Sequence, residues 1–302
     1  MASSNALLIE YCLLTVMLTV GVPVFNAERF LERCLTNLCA EDLDYKIVVS
    51  DNASTDRTAE IAQAFANADG RIHYIRHEEN LGAWGNFDFL LDSATTELFA
   101  WRAYDDISSP DYFKTLAEAL ESKPQFHLAV GSLAYEDEQG RPPAPQRVPA
   151  LLPDDSAQRR AALLRIAEVT WIYAVFRRDE LCRRYAAARK AYEYVWSFDP
   201  LVILPFVLEA SVVTEPDVTF TQYVCGGSAA RYRPKGVIAS SRLVSQFCRH
   251  GFSIADELSA SPTERLRLYA DVIRYTNKYG LKFSRIAKRA LLWPYYRLAN
   301  QL

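Results

Sequence analysis

Three short segments of this sequence hold side chains suited to handling a nucleotide and a diphosphate. They are Pro23-Val24-Phe25-Asn26-Ala27-Glu28, then Val48-Val49-Ser50-Asp51-Asn52-Ala53-Ser54 running on to Asp56-Arg57-Thr58, and then Trp101-Arg102-Ala103-Tyr104-Asp105-Asp106 with Pro110 beyond. A carboxylate such as Asp51 can accept from a base N–H and so select a nucleotide. One such as Asp105 can hold a divalent ion against a diphosphate. Each has a plainer reading when taken alone. Asp51 to Ser54 can be a polar turn capping the next helix, and Asp105-Asp106 can be solvated acids favoured ahead of a helix by its dipole. What joins them is that each follows a strand-like run, and open α/β sheets bind ligands outside the carboxyl ends of their strands.

The elements that must position them are legible as alternating periodicities. Apolar runs at Val16 to Phe25, Tyr45 to Ser50, Ile72 to His77, Leu98 to Ala103 and His127 to Leu133 read as strands, separated by amphipathic helical patterns. The first helix is expected from about Ala27, with Asn26 supplying a side-chain oxygen to its free N–H groups, and the second from Thr58 to Asn67. A third is expected after Asn86, and a fourth opening on Ser109-Pro110-Asp111. Arg141 to Asp155, with five prolines, reads as a surface connection. After it come a helix at Ser156 to Glu168, a strand at Trp171 to Phe176, and helices at Glu180 to Tyr192 and Pro200 to Glu209. From Thr263 the pattern is helical to the end, with breaks near Gly280 and Pro294.

Size and charge narrow the class. A chain of 302 residues exceeds the usual single core, so one α/β catalytic domain with an appendage is expected, and half the residues are apolar or aromatic. The net charge of −3 hides a division: from Thr263 onward nine basic residues face two acidic ones, a balance of +7, leaving about −10 for the body. An acidic body argues against nucleic acid as a partner. Six scattered cysteines, with no C-x-x-C pair, read as reduced thiols of a cytosolic protein, and a zinc site is not expected. The apolar stretch from Ala6 to Phe25 has the length of a membrane span, but Glu10 interrupts it and its second half is β-branched, so a buried strand is preferred over a signal peptide or anchor.

In this order the motifs resemble family 2 glycosyltransferases of the GT-A fold. Those enzymes carry a P-x-(Y/F)-N segment, a (V/I)-D-(D/N)-x-S-x-D-x-(T/S) segment, an N-x-G segment and a D-x-D-type acidic motif. Here these correspond to Pro23 to Asn26, Asp51 to Thr58, Asn80-Leu81-Gly82 with Asn86 beyond it, and Asp105-Asp106, over roughly residues 15 to 115. The resemblance implies a mixed, mainly parallel Rossmann-like sheet flanked by helices, with Pro23, Phe25, Glu28 and Asp51 lining a nucleoside pocket. Asn26, Asn52, Asn80, Gly82, Asn86 and Tyr104 join the donor site by the same token. Asp105 would ligate Mg2+ or Mn2+ bridging the diphosphate, and Asp106 would support it from beside the acceptor. One position departs from the pattern: Ala103 stands where the first carboxylate of the acidic motif usually stands.

The second half is expected to supply the base and the acceptor surface. Inverting transfer needs a carboxylate opposite the leaving diphosphate, and in the family this acid often opens a helix some way after an R-(R/K) strand end. Phe176-Arg177-Arg178 followed by Ser197-Phe198-Asp199-Pro200 fits that order and nominates Asp199. The plainer alternative is a helix cap. Phe198 replaces the usual companion acid; Asp179, Glu180 and Glu193 are the fallbacks. Arg231, Arg233 and Lys235 are a diphosphate-gripping lid or a solvated basic loop. The tail, with Lys282, Arg285, Lys288 and Arg289 among Phe283, Ile286, Leu291, Leu292 and Trp293, suits either an anionic membrane surface or packing on the body or a second subunit.

The expected organisation is a glycosyltransferase domain over about 1–240, with the donor half to about 135, and a basic helical segment over 241–302. The expected reaction moves a sugar from a nucleotide-diphosphate sugar, UDP or dTDP favoured by Asp51, to a saccharide or lipid-linked acceptor in surface-polysaccharide synthesis. The expected location is cytoplasmic, with the tail able to sit on the inner face of the membrane. A degenerate sugar-nucleotide-binding protein is the alternative that Ala103 and Phe198 favour. A nucleotidyltransferase is disfavoured by the missing Gly-rich basic loop after strand one.

Overall fold

The computed structural model describes residues 17–42, 44–137, 145–224 and 232–280. Strands β1 (Leu18–Val24), β2 (Lys46–Asp51), β3 (Ile72–Arg76) and β4 (Leu98–Trp101) run parallel, β2 between β1 and β3, and β4 on the other side of β1. All seven residues of β1 are buried, because a central parallel strand covered by helices on both faces has no solvent side. Helices α1 (Leu31–Cys39), α2 (Thr58–Ala68) and α3 (Gly82–Ser93) make the crossovers, and α4 (Tyr112–Ser122) follows a two-residue strand β5 (Ile107–Ser108).

Beyond β4 the sheet turns mixed. Its strand order is β3-β2-β1-β4-β7-β6-β8-β5, with β6 (Leu128–Glu136), β7 (Val175–Arg177) and β8 (Val212–Tyr223). β7 is antiparallel to both neighbours, β6 and β8 are parallel, and β5 caps the edge antiparallel to β8. This is the expected GT-A arrangement. The long strand β8 was not expected from sequence. It carries Glu215-Pro216-Asp217, a turn-like break, and the register against β6 jumps there from Gly131↔Glu215 to Ser132↔Thr219. A proline lacks the N–H for the ladder and is accommodated at such a bulge, where Ser132 Oγ donates to the Pro216 carbonyl at 2.8 Å.

Helices α5 (Ser156–Ile166), α6 (Arg178–Ala191), α7 (Phe198–Leu208), α8 (Val237–Leu258) and α9 (Pro262–Tyr279) cover the other half. α7 is apolar all round, and ten of its eleven residues are buried, with Pro205 inside it. It is a core helix. α8 and α9 pack on it: Leu243, Phe247, Ile254, Val272 and Tyr275 belong to the same continuous core as β1 and β2. The boundary expected at 240 falls inside α8. Gly251 permits the close approach, since a Cβ there would stand 2.5 Å from Val272 Cγ1 and 3.2 Å from Leu204 Cδ2.

Several local expectations are corrected. α1 begins at Leu31 after a turn, not at Ala27, and the Asn26 side chain accepts from Thr55 N–H at 2.9 Å instead of capping it. Asn26 is held across the loop by a φ of 49°, outside helical geometry. α3 begins at Gly82, four residues before Asn86, because the Asn80 side chain folds the turn by accepting from Gly82 N–H at 2.8 Å. α4 opens at Tyr112 with Asp111 left-handed at φ 58°, and Ser109 Oγ accepts from Thr219 N–H of the neighbouring strand. Trp171 to Phe176 is a 3-10 turn (Val169–Tyr173), packed against α7, followed by the short β7, so that only Val175 and Phe176 of the expected strand pair in the sheet. Among the described residues no helix is long and apolar enough to cross a membrane. The tail beyond Gly280, the start of the apolar stretch at Ala6, and Arg231 lie outside the described residues.

Candidate active site

The loops leaving β1 and β2 are stitched together at the carboxyl edge of the sheet. Asn26 N–H donates to Ser54 Oγ (2.9 Å), Ala27 N–H to Thr58 Oγ1 (2.7 Å), and Glu28 N–H to Asp56 Oδ2 (3.1 Å). In return Thr55 N–H reaches Asn26 Oδ1 and Arg57 N–H reaches Glu28 Oε2. Backbone donors that a loop would otherwise leave to water are therefore paired between two neighbouring loops. The left-handed Ala53, at φ 59°, turns the chain sharply enough for this. Phe25 stands out of the double loop, 43% exposed, beside buried Pro23.

Asp51 is wholly buried. Its Oδ1 accepts from Ser54 N–H at 2.9 Å and its Oδ2 from the Tyr74 hydroxyl at 2.7 Å, with the Arg76 guanidinium 3.9 Å away. In this arrangement the carboxylate shapes the loop. Asn52 does the same for the third motif: Oδ1 accepts from Leu81 N–H at 2.7 Å while Nδ2 donates to Asn80 Oδ1 and the Gly82 carbonyl. Asn86 Nδ2 donates to the Ser50 carbonyl and its Oδ1 accepts from Ser50 Oγ. Thus Asn26, Glu28, Asp51, Asn52, Asn80, Gly82 and Asn86 lie along one hydrogen-bonded edge.

The acid corner follows β4. Asp106 is buried and accepts from Tyr223 N–H of β8 at 2.8 Å, which ties the corner to the far half of the sheet. Burial, and then the neighbouring Asp105 charge, push its carboxyl up to about 7. Burial also raises Asp105. Tyr104 and Asp105 are half-buried at the open side.

Beneath the corner the sequence hid a second device. Arg102 is fully buried, its Nη2 donating to Ser108 Oγ at 2.5 Å and its guanidinium lying 5.0 Å and 5.3 Å from the Phe113 and Phe220 ring centroids. Its charge opposes the rise at Asp106 and also at Glu41, which burial pushes up to about 7. Cys34, beside them, is pushed up to about 12 chiefly by burial and is an inert thiol.

Asp199 stands in the first turn of α7, after a left-handed Ser197 at φ 63°. No side-chain cap bond is made at this helix start; Ser197 Oγ donates instead to the Tyr279 carbonyl at 2.8 Å. Asp199 opens onto a cleft of about 480 Å³ whose walls include Trp84, Tyr173, Tyr185, Trp196 and Tyr279. Burial alone raises its carboxyl to about 6. The cleft adjoins the acid corner through Tyr173, a residue no motif had indicated: the negative charges of Asp199, Asp106 and Asp105 all add to the burial that holds its hydroxyl well above the ordinary value. Gln222, next to the Tyr223 that binds Asp106, also lines it.

The fallback acids are accounted for. Asp179 pairs with Arg178 at 2.8 Å and Glu180 with Arg183 at 2.6 Å, both on α6. Glu193 pairs with Arg242 at 3.6 Å. The aromatic run Tyr192-Glu193-Tyr194-Val195-Trp196, immediately before Asp199, is the signal that sequence reading passed over.

Among the described residues no group of three or more His, Cys, Asp or Glu side chains is arranged to hold a metal. A hard divalent ion does not need one where a substrate diphosphate supplies oxygens, and one or two protein carboxylates then suffice. Asp105, half-buried and acid-only in its donor chemistry, fits that use; Asp106 has one oxygen committed to Tyr223.

Known proteins resemble part of this chain in sequence and most of it in fold. GlyA, a glycosyltransferase of Streptococcus pneumoniae, is 33% identical over 116 residues, which are 38% of this chain and 16% of GlyA. The chain thus matches well under two thirds of that relative's length. Among solved structures, S. aureus TarS 1-349 in complex with UDP-GlcNAc superposes with a TM-score of 0.62 at 14% identity, over 87% of this chain and 73% of that one. Mannosyltransferase PcManGT from Pyrobaculum calidifontis, in complex with GDP-Man and Mn2+, gives 0.50 at 18% identity over 93% and 80%. These likenesses are of fold. The profile of Glycosyl transferase family 2 matches residues 19–182, more than half of the chain, and covers the stitched loops and the acid corner: the chain belongs to glycosyl transferase family 2.

Proposed function

We propose that this chain is an inverting, metal-assisted glycosyltransferase that moves a sugar from a nucleotide-diphosphate donor to a hydroxyl of a saccharide or lipid-linked acceptor. The observation that carries this reading is Asp199, a raised carboxylate on an aromatic cleft that meets the acid corner at Tyr173. In one displacement the acceptor oxygen forms its bond to C1, its proton passes to Asp199, and the bond from C1 to the diphosphate breaks with the electron pair leaving on the diphosphate. A base with its carboxyl near 6 is better matched to a neutral medium than an ordinary aspartate.

The cleft suits a sugar acceptor. Aromatic walls match the apolar faces of a pyranose, and two buried polar atoms beside it, Trp196 Nε1 and the Tyr279 hydroxyl, have no hydrogen-bond partner. A buried donor without a partner costs about 1–3 kcal/mol, and acceptor hydroxyls would relieve it. On the donor side Asp105 would hold Mg2+ or Mn2+, Phe25 would offer a ring to the base, and Pro23, Asn26, Glu28, Asp51, Asn52, Asn80, Gly82, Asn86 and Tyr104 would form or shape the pocket. The ion, when bound, supplies charge neutralisation on the leaving diphosphate. TarS with UDP-GlcNAc and PcManGT with GDP-Man and Mn2+ support a nucleotide-sugar donor and a divalent ion; the UDP or dTDP preference, the role of Arg231, peripheral membrane attachment and self-association belong to the proposal as well.

Ala103 favours one second reading, a sugar-nucleotide binder without turnover. A donor-hydrolysis assay over a panel of nucleotide-diphosphate sugars with Mg2+ or Mn2+ separates the two. An enzyme releases nucleotide in a metal-dependent way that Asp105→Asn and Asp199→Asn each abolish; binding without release, in the presence of acceptor extracts, supports the second reading.

A further inference from the structure

Away from the cleft, helices α6 and α8 face each other with stripes of unequal size. On α6 the stripe is Arg183, Ala187 and Lys190; on α8 it is Gln246, Arg249 with His250, Ser253 and Glu257. Residues three and four apart share a helix face, and the small Ala187 and Ser253 leave a groove of about 590 Å³ between the longer side chains.

The charges around this groove do not cancel. Arg184, buried at its base, is paired with Glu209 and Glu257, and more distantly with Glu180, which also holds Arg183. These ion pairs occupy Glu180, Glu209 and Glu257, and Glu193, whose N–H donates to Gln246 at the edge of the groove, is paired with Arg242. Lys190 and Arg249, both exposed at the rim, form no ion pair with any described residue. At the floor His250 is 8% exposed, and its Nε2 is buried with no hydrogen-bond partner. In its Nε2–H tautomer this imidazole is a buried donor without an acceptor, on a residue that lines the groove below two cations with no ion-pair partner among the described residues.

We propose that this groove is an anion site for a phosphate group, gripped at the rim by Arg249 and Lys190 and reached from the floor by His250 Nε2–H. The guanidinium fork matches phosphate oxygens, and the ammonium adds a point charge. The groove has room for more than a bare ion, so the phosphate is either free or the headgroup of an anionic lipid. The site is separate from the donor pocket, because none of its lining residues borders the Asp199 cleft.

The test compares the full chain with a Lys190→Ala/Arg249→Ala double variant, both positions being exposed, and with His250→Leu and His250→Gln. Inorganic phosphate is titrated without divalent metal, read by thermal shift, and flotation is measured with vesicles of phosphatidylglycerol against phosphatidylcholine. The proposal expects saturable stabilisation that weakens about tenfold or more in the double variant, is lost in His250→Leu, and is kept by His250→Gln, whose amide restores a donor. Flotation on phosphatidylglycerol that the double variant loses and that phosphate competes away identifies a lipid headgroup; phosphate binding without flotation identifies free phosphate. A chain that neither binds phosphate nor floats, or a double variant that equals the wild type in both assays, overturns the proposal. Neither result bears on donor hydrolysis, since Lys190, Arg249 and His250 all lie outside that machinery.

Discussion

Replacing Asp199 by Asn changes one charge and almost no volume, and the two roles open to this carboxylate predict opposite effects on stability. Burial lifts the group from 3.8 to about 6, roughly two units at about 1.4 kcal/mol each, so the ionised form costs the fold about 3 kcal/mol. A carboxylate serving only the helix dipole would instead contribute about 0.3–1 kcal/mol. The larger effect decides the sign. Because the folded value is raised, the favourable contribution of the protonated form is complete below 3.8 and is lost as pH rises through about 6. Above that pH, Asp199→Asn is therefore expected to be more stable than the wild type by up to about 3 kcal/mol, with the gap closing under acid. Urea denaturation at several pH values measures this. The same variant is expected to lose donor turnover by about 10²–10⁴-fold while keeping donor affinity, and the wild-type kcat/KM is expected to fall as pH drops through about 6. A variant less stable at neutral pH, or one that turns over normally, refutes the assignment of Asp199 as a base held at an energetic cost.

Ala103→Asp restores a carboxylate beside Asp105 and is expected to tighten Mn2+ in the donor complex by about tenfold; an unchanged metal titration would place Ala103 away from the ion. Ala53 holds φ 59°, a conformation that costs a residue with a side chain about 1–2 kcal/mol. Ala53→Gly should recover a part of this in chemical denaturation, and a variant no more stable than the wild type would refute strain at this turn. Asn52→Ala cuts the bonds to Leu81, Asn80 and Gly82 and should lower both stability and donor affinity, read by denaturation and nucleotide titration. Gly251→Ala drives a Cβ against Val272 and Leu204, with an expected loss of about 1–3 kcal/mol.

The donor half was legible because its chemistry and its periodicity coincide. Leu18–Val24 and Lys46–Asp51 are mainly apolar, buried strands, and each leads into a polar loop, at Asn26 and at Asp51-Asn52. The acceptor half was harder to read for reasons that lie in particular residues. Pro216 looks like a terminator but occupies a bulge. Helix α7, expected at Pro200 to Glu209 and found at Phe198–Leu208, has no polar face, so its pattern did not say which side meets the core. Arg102, quoted in the acidic segment without a role, is the buried charge under the acid corner, a placement that no local spacing announces. Tyr173 joins Asp199 to Asp105 and Asp106 only through the tertiary fold, so no local spacing announces it.

The central claim is that Asp105 and the stitched loops bind a nucleotide-diphosphate sugar together with a divalent ion. It is tested most directly by a thermal-shift titration of nucleoside diphosphates and their sugars, with and without Mg2+ or Mn2+, on the wild type and Asp105→Asn. At least one donor should stabilise the wild type, by about 2.7 kcal/mol at a hundredfold excess over its Kd, with a metal increment that Asp105→Asn removes. No stabilisation by any nucleotide, or a metal increment that survives in Asp105→Asn, would contradict it.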